Sequence, residues 1–161
     1  MVFALPVSHY QDALYDIFDV DILEQVDPVQ AAAQLSAVMP SDMPVLKAAY
    51  PKKKFKDLDS ASYEISLKTP LSAEEIQSRF AGEVVVEKKS KKKCAFTDIS
   101  PMIKELIAYP AEDGVLLKCT LSASPDNYLN PKYITEFLGD AVSYSHTVRT
   151  MLYDEKGNPL E

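Results

Sequence analysis

Between Ala61 and Lys68 apolar and polar side chains alternate without a break: Tyr63, Ile65 and Leu67 on one side, Ser62, Glu64, Ser66 and Lys68 on the other. Such a period of two suits a strand buried on one face and excludes a helix over the same residues. The pattern returns at Val115 to Ala123, with Val115, Leu117, Cys119 and Leu121 inward and Lys118, Thr120 and Ser122 outward, and again at His146 to Tyr153. Three half-buried strands need a sheet with a covered face, so the intervening segments must supply both partners and cover.

Those segments carry helix signals. Ser72-Ala73-Glu74-Glu75 is a capping box, followed by Ile76 and Phe80 four apart, and Gly82 closes the helix. Asn130-Pro131 opens a second helix bearing Ile134, Phe137 and Leu138, and Gly139 stands at its stop. Between them, Val84 to Glu87 and Ala95 to Ile99 read as two short strands joined by a lysine-loaded turn, Lys88 to Lys93. Ser100-Pro101 is expected to cap a further helix carrying Met102, Ile103, Leu106 and Ile107, and Glu112-Asp113-Gly114 a turn. In the first fifty residues, Val2 to Leu5 reads as a strand end, Tyr15 to Ile22 as a half-buried strand and Val45 to Tyr50 as another. Asp27-Pro28-Val29-Gln30 starts a helix that runs to Val38 and buries Ala31, Leu35 and Val38.

The element order predicts an α+β protein. Residues 60–153 read as a ferredoxin-like split βαβ module with a hairpin and helix insertion. Residues 1–50 read as a partial module of the same type lacking its first strand and helix, 51–59 as a linker and 154–161 as a tail. An incomplete first module implies a truncated or natively shortened chain, and its unpaired strand edges imply self-association into a homo-oligomer.

Charge is distributed unevenly. Up to Tyr50 the acidic residues are Asp12, Asp16, Asp19, Asp21, Glu24, Asp27 and Asp42 against Lys47 alone, whereas the remainder is nearly balanced within a net charge of −7. A globally acidic chain does not coat nucleic acid, but two lysine clusters offer local phosphate contacts: Lys52, Lys53, Lys54 and Lys56, and Lys88, Lys89, Lys91, Lys92 and Lys93. Against RNA binding stand the absence of tryptophan and of an aromatic-rich strand to stack bases. Charged turns are also ordinary solvated edges.

Other chemistry is sparse. Four glycines leave no dinucleotide fingerprint or phosphate loop. Asp16, Asp19 and Asp21 could gather a hard cation or simply form a solvated strand face. His9 and His146 have no second metal ligand at suitable spacing, so no metal site or cofactor is expected. His146, alternating with Val148 and Leu152, suits a core or half-buried histidine, and Arg149 falls on the opposite strand face, which weakens a joint acid–base role. The two cysteines, Cys94 and Cys119, form no disulfide framework, and no signal peptide or membrane-length apolar run occurs, so a reducing cytoplasm is expected and no membrane partner.

Phe3-Ala4-Leu5-Pro6, Asp19-Val20-Asp21, Tyr63-Glu64-Ile65 with Leu71-Ser72-Ala73-Glu74-Glu75, Val86-Glu87-Lys88-Lys89, Asp98-Ile99-Ser100-Pro101-Met102-Ile103, Asn130-Pro131, His146-Thr147-Val148-Arg149-Thr150 and Tyr153-Asp154 occur in order along the chain. Together they resemble a bacterial family of unknown function whose members are encoded beside, or fused to, a radical SAM protein. The resemblance implies an accessory role for a radical SAM partner, with RNA as a candidate substrate, and carries no established reaction. Family members carry a further front segment with a Ser-His-x-Asp stretch that nothing here matches, and the Gly and Ser-x-x-Glu-Tyr pattern expected after Leu5-Pro6 is absent. A radical SAM cluster needs three thiolates in a C-x-x-x-C-x-x-C arrangement, which Cys94 and Cys119 do not supply. The chain is therefore expected to contribute binding surface rather than catalysis. The rival is a stand-alone enzyme or metal-binding protein using His146, Arg149 and the acidic strand.

Overall fold

The computed structural model describes residues 1–89 and 94–160. In chain order these form β1 (Val2–Phe3), β2 (Gln11–Ala13), β3 (Phe18–Asp19), α1 (Pro28–Val38), β4 (Leu58–Lys68), α2 (Ala73–Arg79), β5 (Val85–Lys89), β6 (Cys94–Asp98), β7 (Ile103–Ala111), β8 (Gly114–Ser124), β9 (Asn127–Tyr128), α3 (Lys132–Leu138) and β10 (Tyr144–Asp154). The protein is of mixed α+β class.

The main sheet has the order β2-β10-β4-β8-β7, with β9 paired to β8. β10, β4, β8 and β7 are antiparallel to their neighbours, and β2 runs parallel to β10. Register aligns Ile65 with Leu117 and Thr147, and Tyr63 with Cys119 and Arg149, so one face carries the alternating apolar residues of all three long strands. Ile76 of α2 and Ile134 and Leu138 of α3 join that core. The other face presents Ser66, Lys68, Ile107, Tyr109 and Lys118 to solvent, as the alternation of β4 and β8 requires.

Both helix signals in this region hold. Ser72 Oγ accepts from Glu75 N–H, and the Glu75 carboxylate accepts from Ser72 N–H. Gly139 closes α3 at φ 61°, the left-handed conformation that glycine adopts without cost. The β7–β8 hairpin turns through Glu112-Asp113, and Gly114 has φ 146° with Leu67 O only 2.1 Å from where a Cβ would stand.

The helix expected after Ser100-Pro101 is instead a single 3-10 turn, Ser100–Met102, leading into β7. A bulge between Ile103 and Glu105 shifts the strand's phase, so inward Ile103 and Leu106 stand three apart and mimic a helical repeat. The same device misleads in β10, where the register shifts between Arg149 and Met151. Leu152 is therefore inward, while His146 and Val148 lie on the outer face with Glu64 and Ser66.

In the first fifty residues, Asp27 caps α1 as expected, accepting from Val29 N–H (2.7 Å) and Gln30 N–H (3.2 Å). The helix buries no residue completely, however, and Val38 is exposed. The Tyr15 to Ile22 strand shrinks to β3, because among the described residues β1 alone offers it a strand partner, and only at two positions. Val45 to Tyr50 forms no strand; Val45 N–H bonds to Ser36 Oγ of α1 instead (3.0 Å). No residue before Leu58 is buried. Leu58 itself lies in the core and begins β4, so the expected linker ends inside the long strand.

Both edges of the sheet are guarded. On β7 the side-chain amide of Gln77, from α2, donates to Leu106 O and accepts from Ala108 N–H, both at 2.9 Å, pairing the strand as a neighbouring backbone would. On β10, β2 covers Thr147 to Arg149, and the tail returns so that Leu160 N–H donates to Leu152 O.

Candidate functional site

The lysine candidates divide by role. Lys53 Nζ is tied to Asp154 (2.7 Å) and to Pro159 O (3.2 Å), so it fastens the tail to the start of β4. That ammonium, with the backbone N–H groups of Asn158 and Lys156, holds the Asp154 carboxyl far below its usual range. Lys54 donates its backbone N–H to Asp57, and Lys52, Lys54 and Lys56 expose their side chains. Lys88 extends β5 with its ammonium 5.4 Å from the Tyr133 ring, and Lys132 of α3 sits 4.6 Å from the same ring. The expected turn at Lys88 thus starts later, since Lys88 and Lys89 pair with Ala95 and Cys94. Lys91, Lys92 and Lys93 lie outside the described residues. Beside this hairpin a groove of about 470 Å³ runs between β5 and α3, lined by Val85, Glu87, Lys132, Glu136 and Phe137. Phe96 of β6 is 81% exposed.

His146 and Arg149 are separated by the sheet. His146 Nε2 lies 2.8 Å from Asp12 Oδ2 on the outer face, both groups open to water. Arg149 points inward and is 3% exposed. Its Nη2 pairs with Asp16, its Nη1 donates to Leu5 O, and its backbone O accepts from Leu14 N–H (2.9 Å). One side chain therefore anchors residues 5–16 across the sheet. A second latch lies nearby: Gln11 Nε2 donates to Asn130 Oδ1 (3.2 Å) and Asn130 Nδ2 to Ser8 Oγ (3.1 Å).

Sequence reasoning missed this pin. Its signal was available in Arg149 sharing strand parity with Thr147, opposite Tyr63 and Ile65, but the register that makes that parity inward is a tertiary property. Tyr63 lies beside it, its phenol pushed up by burial and then by Tyr128. Cys119 is also buried, which raises its thiol to about 12, whereas Cys94 is exposed. Asp16 is committed to Arg149, and Asp19 and Asp21 are exposed. Among the described residues no three His, Cys, Asp or Glu side chains converge as a metal cluster would require.

On the outer face a shallow concavity of about 330 Å³ spans the middle strands. Ser62 and Thr120 hydroxyls meet at 3.0 Å, and Lys118 pairs with Glu64 at 2.9 Å, which raises the lysine pKa. With Tyr109 and Glu105 at its rim, the surface is mixed and self-neutralised. No helix among the described residues is long and apolar enough to cross a membrane.

No curated protein and no solved structure matches the chain. A family model does match over residues 1–131, from β1 through α1 and the main-sheet strands β4, β7 and β8 to the Asn130-Pro131 start of α3. With most of the chain covered, the protein belongs to DUF2344, a family described as an uncharacterized protein conserved in bacteria.

Proposed function

We propose that this protein is a non-catalytic accessory module that binds substrate for a radical SAM partner, with RNA as the substrate class. The observation that carries the reading is the commitment of the candidate catalytic side chains. Arg149 is buried and engaged by Asp16 and Leu5 O, while His146 stands on the other face of the sheet against Asp12. Groups held apart in this way do not form a proton-transfer pair.

The basic hairpin favours RNA. Strand β5 carries Lys88 on the hairpin face towards α3, β6 carries the exposed Phe96 on the opposite face across from Glu87, and α3 adds Lys132 beside the groove. Cations that track a backbone and an aromatic face that accepts a base are the two components of single-strand binding. The order β4-α2-β7-β8-α3-β10, in a sheet running β10-β4-β8-β7, supports a ferredoxin-like reading with β5–β6 inserted. The radical SAM partner rests on the sequence resemblance, and a bacterial cytoplasm on the two free cysteines.

Tagged protein recovered from its host lysate, with and without ribonuclease, tests this. The expected result is a radical SAM protein in both samples, and RNA in the untreated one that is released by raising the salt. A column that retains neither at low salt overturns the proposal. The second reading is a stand-alone enzyme or metal-binding protein using His146, which lies against Asp12, with Arg149 and the acidic strand; stoichiometric metal in the purified protein, lost on His146→Ala, is the finding it requires.

A further inference from the structure

Arg149 is the one described residue whose side chain leaves a buried polar atom unmatched: its Nε finds no partner among the described residues. In a guanidinium, Nε and Nη2 point along the same edge and together form the fork that grips two oxygens of a planar or tetrahedral oxyanion. Asp16 meets that edge at Nη2 alone, through Oδ1. The fork is half used, although nothing else about Arg149 is loosely held.

The segment that supplies Asp16 is weakly attached. Residues 1–57 contribute no buried residue, and β2 holds β10 over three residues. Tyr10 at its turn is fully exposed and has φ 63°, a left-handed conformation rarely adopted by a bulky residue. Segments with few buried contacts open at low cost, and strained turns are concentrated in parts that switch. Removing residues 5–16 would uncover Arg149 beside Tyr63 and Thr147, with Asn130 freed from Ser8 and Gln11.

We infer that Arg149 is an anion-recognition residue covered by its own chain, with Asp16 standing in for the carboxylate or phosphate group of a ligand. A ligand oxyanion takes both Nε and Nη2, displaces Asp16 and releases the strap formed by residues 5–16. This deepens the reading of the chain as a substrate-binding module and rests on it for the role of the ligand. The Arg149–Asp16 contact shares no residue with the lysine hairpin, so RNA capture and oxyanion binding fail independently.

The test is a titration of the ¹⁵N-labelled full chain with inorganic phosphate and, separately, with acetate. It follows the Arg149 Nε–H signal and the exchange of the Leu14 amide, whose acceptor is Arg149 O. The expected result is a saturable shift of Nε–H with faster Leu14 exchange. Asp16→Asn, which removes the competing charge, tightens binding by roughly tenfold, the scale of one charge-assisted hydrogen bond. Arg149→Lys keeps the charge but removes the fork and is expected to lose the response. Tighter binding of phosphate assigns the site to a phosphate-bearing ligand, and tighter binding of acetate to a carboxylate. The inference is overturned if neither anion moves Nε–H in Asp16→Asn, or if the only shifts fall on lysines of the hairpin. Because Asp16→Asn leaves the buried arginine in place, the titration remains decisive even where Arg149→Lys fails to fold.

Discussion

Replacing Gln77 with leucine removes the amide that pairs with the free edge of β7 while leaving the helix former and approximate size unchanged. Two hydrogen bonds of 2.9 Å are lost, to Leu106 O and from Ala108 N–H. A neutral hydrogen bond contributes about 0.5–1.5 kcal/mol net, so the pair is worth about 1–3 kcal/mol. The Ala108 side is exposed and water replaces it cheaply, whereas the Leu106 side is partly buried. The expected loss is therefore in the lower half of that range, about 1–2 kcal/mol in urea unfolding. Gln77→Glu separates the two halves, since a carboxylate still accepts from Ala108 N–H but no longer donates to Leu106 O. Hydrogen exchange at Ala108 should accelerate in the leucine variant and stay slow in the glutamate one. The leucine variant should also self-associate at high concentration, because its edge now offers unpaired backbone groups. Unchanged stability together with unchanged Ala108 exchange would refute the claim that Gln77 acts as a surrogate strand.

Gly114→Ala forces a Cβ to within 2.1 Å of Leu67 O at a φ of 146°; strain and displacement of the hairpin should cost about 2–4 kcal/mol by thermal or urea unfolding, and a loss below about 1 kcal/mol would contradict the geometry. In native protein a thiol reagent at pH 8 should modify Cys94 quickly and Cys119 only after unfolding, because burial keeps Cys119 protonated up to about 12; equal rates by mass spectrometry would sink the prediction. Asp154 has a folded pKa depressed below its ordinary 3.8, chiefly by Lys53, so its stabilising contribution is present above about pH 4 and is lost as pH falls further. Asp154→Asn should therefore be less stable than the parent at neutral pH, with the gap closing on acidification; a gap independent of pH would count against the Lys53 pairing.

What the sequence determined by itself is local. Alternation from Ala61 to Lys68 and from Val115 to Ala123 needs only the two-residue period of a strand. The caps at Asp27 and Ser72 and the stop at Gly139 depend on neighbours within three or four residues. What the tertiary structure decided is everything that depends on register and on a distant partner. The bulges in β7 and β10 reverse which face the following residues occupy, so Ile103 to Ile107 mimic a helix, and half-buried His146 does not share a face with Leu152. Tyr15 to Ile22 and Val45 to Tyr50 have strand-like composition, but a strand persists only as far as another backbone pairs with it. The meeting of Arg149 with Asp16 and Leu5 spans more than 130 residues of sequence, as does that of His146 with Asp12. No local pattern encodes such contacts, because they exist only after β2 and β10 lie side by side.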